Sequence, residues 1–161
     1  MRRNLALGRR CGQTAVGMVG VEMSAANEQL LHDYFADVWL AGDPEAAAKY
    51  LHPGYHRHVS PTLPTLDRAE QIARLRGFRE SFPDITIDVE RVTTSGDSVG
   101  FVSRMRGTHL GEFAGFDPTG NKVNVILVDL IRIKDGLFIE QWGGPDIYDL
   151  LRQIGAKLGT S

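Results

Sequence analysis

The sequence predicts an α+β fold in which three helices precede a strongly curved antiparallel sheet and a fourth helix closes the chain. Three observations lead there. Apolar residues recur every three to four positions between Leu30 and Phe82, the spacing of helix stripes. After Pro83 the period drops to two, as Ile85, Ile87 and Val89 alternate with Thr86, Asp88 and Glu90. Beyond Pro145 helical spacing returns at Ile147, Leu150, Leu151 and Ile154. Helices and strands segregated along a chain in this way characterise the α+β class.

Leu30, Leu31, Tyr34, Phe35, Val38 and Trp39 form the stripe of the first helix, with Ser24 or Asn27 as its cap and Gly42 as its end. Asp43-Pro44 opens a second, short helix through Ala46–Ala48 and Leu51, proline taking the favoured first position. His52-Pro53 stops it, and residues 53–65, with Pro53, Pro61 and Pro64, read as an irregular loop. Asp67 caps a third helix whose apolar face is Ile72, Leu75, Phe78 and Phe82. Ser95-Gly96-Asp97 is turn chemistry that joins the first strand to Val99–Thr108. Residues 111–121, rich in glycine, read as a connection. Val123–Ile133 is apolar at both parities, which predicts a central strand covered on both faces. Lys134-Asp135-Gly136 turns it into Leu137–Trp142, and Pro145 or Asp146 starts the closing helix that Gly155 ends.

A length of 161 residues fits one domain, and 42% hydrophobic residues supply a real core. No uninterrupted apolar run is long enough to span a bilayer. A net charge of −2 argues against a nucleic-acid partner held by phosphate neutralisation. Cys11 is the single cysteine, so no internal disulfide or cysteine-based zinc cluster forms, and a cytoplasmic location is expected. Residues 1–22 hold four arginines and one acid, and the remainder carries a net −5. They are expected to be an unstructured extension, with Met23 the natural beginning and 23–161 the folded domain.

Few residues can carry chemistry. On the long strand Val123, Val125, Leu127, Asp129, Ile131 and Ile133 share one face, so Asp129 is its lone carboxylate among apolar neighbours. Desolvation there raises its pKa and suits it to move protons between carbon and oxygen. The competing structural readings are a salt bridge to Arg104, Arg106 or a helix terminus, or simple exposure at the middle of the strand. His52, His56 and His58 lie within seven residues, yet no third ligand follows at metal spacing, and His58 is the expected inward member. His32 and His109 are expected in solvent. Gly143 and Gly144, after Trp142, mark either a close approach of ligand or backbone, or merely a strand-to-helix turn. No GxSxG, Walker or GxGxxG motif occurs.

The run from Arg106 to Val123, with Gly107-Thr108-His109 and Gly115-Phe116-Asp117-Pro118-Thr119-Gly120, resembles the SnoaL-like polyketide cyclases. So do Asp129–Gly136, Glu140-Gln141-Trp142, the ending Asp146–Gly155, and His52-Pro53-Gly54-Tyr55. The resemblance covers roughly 27–156. It implies an NTF2-like cone with an apolar pocket, a homodimer, and cofactor-free, metal-free aldol cyclisation of a polyketide ester by a pocket aspartate. The carboxylate that many relatives carry after the tryptophan is absent here, where Gly143 stands. The expected catalytic residues are therefore Asp129 and His58. Gln141, Gly143, Trp142, Tyr34, Trp39 and Arg104 are the expected substrate contacts. The expected partner is a small hydrophobic carbonyl compound, without nucleic acid or membrane. An epoxide or ester hydrolase, a non-catalytic binder of an apolar ligand, and a protein-interaction module are the alternatives.

Overall fold

The computed structural model describes residues 13–157. Helix α1 spans Gln13–Tyr34, so it begins well before Ser24, and residues 13–22, read from sequence as an extension, belong to it. Residues 1–12 of that expected extension lie outside the described residues. The helix continues as a π turn, Phe35–Leu40, closed by Ala41 N–H donating to Ala36 O at 2.8 Å. Gly42, at φ 76°, ends it as expected. Asp43 caps the 3₁₀ turn Pro44–Lys49 by accepting from Glu45 N–H at 3.0 Å.

The main correction follows. Residues expected to be loop form strand β1, Leu51–His58. Pro53 and Gly54 read as breakers, but β1 lies at the sheet edge, where a missing N–H is tolerated. The register shifts between Leu51 and His56, so the irregularity is a bulge inside a strand.

Helix α2, Arg68–Ser81, starts at a capping box: Asp67 accepts from Glu70 N–H, and Glu70 accepts from Asp67 N–H. Strands β2 (Thr86–Ser95), β3 (Ser98–Thr108), β4 (Lys122–Lys134) and β5 (Leu137–Pro145) follow, then α3, Ile147–Gln153, capped by Asp146. The curved sheet runs β1-β5-β4-β3-β2, antiparallel except for the β1–β5 pair.

β4 is the middle strand, but only one of its faces is covered. Val123, Val125, Leu127, Asp129, Ile131 and Ile133 are buried, whereas Ile126, Val128 and Leu130 stand in solvent, Val128 at 58%. The expectation of cover on both faces fails because every helix packs on the concave side. Two apolar clusters fill that side, one under α1 and β1, one under α2 and α3, and Trp39 packs against both. Among the described residues no helix is long and apolar enough to cross a membrane.

Candidate functional site

Alternation along β1 turns Tyr55 and Arg57 inward and leaves His56 in solvent. Arg57 pairs in register with Gln141 on β5, whose side chain faces the same way, and Gln141 is opposite Ile131 on β4, two residues from Asp129. Four polar side chains thereby meet beneath an apolar core. Asp129 is 5% exposed and Arg57 3%.

Their bonds form a chain with one direction. Tyr55 O–H donates to Gln141 Oε1 at 2.7 Å, and Gln141 Nε2 donates to Asp129 Oδ1 at 2.9 Å. Arg57 Nη2 donates to the same Oδ1 at 3.2 Å and to Gly143 O at 2.8 Å. Because Oδ1 receives two N–H donors, a proton on this carboxyl belongs on Oδ2, which accepts no bond from the described residues. Burial pushes the Asp129 pKa above the usual carboxylate range, against the pull of Arg57, Gln141 and Arg74. Burial likewise pushes Tyr55 up to about 12, so its hydroxyl stays a donor at neutral pH.

Arg57, Asp129 and Gln141 line a chamber of about 40 Å³, walled also by Tyr34, Phe35, Trp39, Phe101, Met105 and Leu127. Room of that size holds a few waters or one small functional group. Arg74, Phe78 and Pro145 line both this chamber and an outer cleft of about 690 Å³, which also has Val59, Phe113, Val128 and Ile147 in its wall. Gln71, 1% exposed, lines the chamber with Oε1 bonded to none of the described residues.

Of the residues expected from sequence, Asp129, Gln141, Tyr34 and Trp39 line the chamber. His58 does not. It lies on the other parity of β1, stacked on Trp142 at 4.8 Å between ring centroids and 3.4 Å from Glu140, so both His58 and Trp142 belong to the outer side. Arg104 is also outside, paired with Glu90 at 2.5 Å, and Arg106 pairs with Asp88. The structural alternative for Asp129 therefore names the wrong arginines: its partner is Arg57. Gly143 lines the outer cleft rather than the chamber. A Cβ there would stand 2.0 Å from Val128 O at φ 99°, so backbone packing alone requires glycine and excludes any side chain, a carboxylate included. His109, expected in solvent, is fully buried with Nδ1 3.1 Å from Thr119 Oγ1. Among the described residues no cluster of three His, Cys, Asp or Glu side chains could hold a metal.

Arg57, Gln71 and Arg74, which line the chamber, and Tyr55, which bonds Gln141, are candidate-site residues that the sequence reading does not name. The signal for Tyr55 and Arg57 is their alternation in a segment whose prolines and glycine predict a loop.

No curated protein sequence matches the chain. Solved structures do. AclR of Streptomyces galilaeus, described as a candidate hydroxylase, is 26% identical over 84% of this chain and 99% of its own, with a TM-score of 0.75. A candidate SnoaL-like polyketide cyclase from Jannaschia sp. CCS1 is 25% identical over 94% and 100%, also at 0.75. IdmH of Streptomyces antibioticus, a candidate polyketide cyclase, is 26% identical over 80% and 98%, at 0.70. The profile of the SnoaL-like polyketide cyclases matches residues 29–154. With this match spanning most of the described residues and the cone of helices and sheet in place, the chain belongs to the SnoaL-like polyketide cyclase family.

Proposed function

We propose that this protein is a cofactor-independent cyclase that moves a proton on a small hydrophobic carbonyl compound through Asp129. One observation carries the reading: a buried carboxylate ends an apolar chamber, with one oxygen anchored twice and the other bonded to no described residue. Oδ2 takes a proton from the carbon next to a carbonyl, leaving an enolate. The enolate carbon attacks a second carbonyl of the same molecule, which forms the ring bond. The resulting alkoxide recovers the proton from Oδ2, so no atom or electron is gained or lost. The outer cleft takes the body of the substrate, and the chamber takes only its reacting carbonyl.

Deuterium exchange at the activated carbon of a β-keto ester, followed by NMR, tests this. Asp129→Asn keeps the side-chain volume and is expected to slow exchange by about 10²–10⁴-fold. Because it leaves Arg57 buried without its counter-charge it is also expected to cost stability, so exchange is read on protein shown to be folded. Exchange at the wild-type rate in that variant would sink the reading.

We infer that a second copy covers Ile126, Val128 and Leu130, because the stripe is flanked by pairs of both signs, Arg104 with Glu90 and Arg132 with Glu140, and is thus self-complementary under a two-fold axis. Sedimentation of the full chain reads this directly, and a monomer at micromolar concentration would refute it.

A further inference from the structure

We propose that Arg74 is an anion-binding residue of this site, and that the substrate carries a carboxylate which docks at the neck between chamber and outer cleft. The inference rests on the chamber being the reaction site and names the substrate class that it takes.

Charge balance is the first argument. Three charged groups line the chamber, the cations Arg57 and Arg74 and the anion Asp129. Asp129 balances Arg57 through the 3.2 Å contact. Arg74 forms no ion pair among the described residues, and Glu112, the carboxylate in the outer cleft wall, is exposed and does not pair with it. Burial lowers the Arg74 pKa only to about 10, so it remains a cation at neutral pH. The site thus holds one half-buried positive charge with no counter-ion among the described residues, which favours an anionic ligand.

Placement is the second. Arg74, Phe78 and Pro145 line both spaces, so a ligand that spans cleft and chamber lies against Arg74. The guanidinium lies over the Phe78 ring at 4.8 Å, which holds its plane. A Cβ on Gly144 would stand 3.0 Å from Arg57 Nη2 and 3.8 Å from Arg74 Nη2. The bare glycine therefore marks the spot that both guanidinium groups face. A planar fork of N–H donors matches a carboxylate better than an ester, which offers weaker acceptors and no charge.

The test compares naphthoate with its methyl ester as ligands of the full chain, by isothermal titration. Wild type is expected to bind the acid at least about tenfold more tightly. Arg74→Gln is expected to remove that preference, and Arg74→Lys to restore part of it. Arg74→Met, which keeps the packing on Phe78, replaces Arg74→Gln should the latter not fold. Asp129→Asn, which removes a like charge, is expected to tighten the acid and leave the ester unchanged. Equal affinities in wild type, a preference that survives loss of Arg74, or binding of neither probe overturns the proposal. The two readings fail separately: Asp129-dependent exchange without acid preference removes only the anion site. Acid preference without such exchange removes the catalytic reading.

Discussion

Gly144 lies under Arg57: a Cβ on the glycine would stand 3.0 Å from the guanidinium Nη2, closer than nine in ten real Cβ contacts. The arginine that anchors Asp129 is therefore positioned by the absence of a side chain on the neighbouring strand. Gly144→Ala should displace it. A shift of about 1 Å at such a group costs on the order of 10²-fold in rate, and the φ of 141° adds about 1–3 kcal/mol of strain. Rate constants and thermal melts of the variant check both numbers.

The acid limb of the pH–rate profile should lie above the value of about 3.9 for an unperturbed aspartate, because Asp129 must be ionised to accept a proton and burial raises its pKa. Stability carries the opposite sign. A raised folded pKa means that stability is fully present below the unfolded pKa and is lost as pH rises through the folded one. Urea unfolding across this window should show wild type losing stability with rising pH, and Asp129→Asn showing a flatter curve.

Arg57→Leu leaves the carboxylate buried without its cation. Breaking a buried pair in this way costs about 3–5 kcal/mol, and the acid limb should move further upward. Denaturant titration and the pH profile of the same variant read the two effects. An unchanged limb would mean that Arg57 does not hold Asp129 in its charged form.

His58→Ala and Arg104→Ala should leave turnover within about twofold, since both side chains lie outside the chamber. His58→Ala loses its stack on Trp142, worth about 0.5–1.5 kcal/mol. A large loss of rate with an intact fold would return His58 to the reaction.

Asp129 was legible in the sequence because strand alternation is strict: five apolar residues on one parity leave a single carboxylate among them. Tyr34 and Trp39 are legible in the helical stripe of the first helix, whereas Gln141 is legible only through the family resemblance. Arg57 was not legible. It sits between two histidines in a segment whose Pro53-Gly54 signals a loop, and only the edge position of β1 makes a strand tolerable there. Its choice of partner depends on a parallel pairing between residues far apart in the chain, which no local pattern encodes. The outer face of β4 failed for a related reason. Apolar residues at both parities say that a strand avoids water on both sides, but not whether a helix or another molecule supplies the cover.

The parallel pairing of β1 with β5 also sets an order of events. β1 is an edge strand, and its neighbour in the sheet is β5, whose residues 137–145 are made long after residues 51–58. A growing chain on the ribosome can close the β2–β3 hairpin at once, but Tyr55 and Arg57 must wait for Gln141 and Gly143. The chamber is thus completed only near the end of synthesis, and a chain cut short before β5 holds Asp129 without the partners that keep one of its oxygens in place.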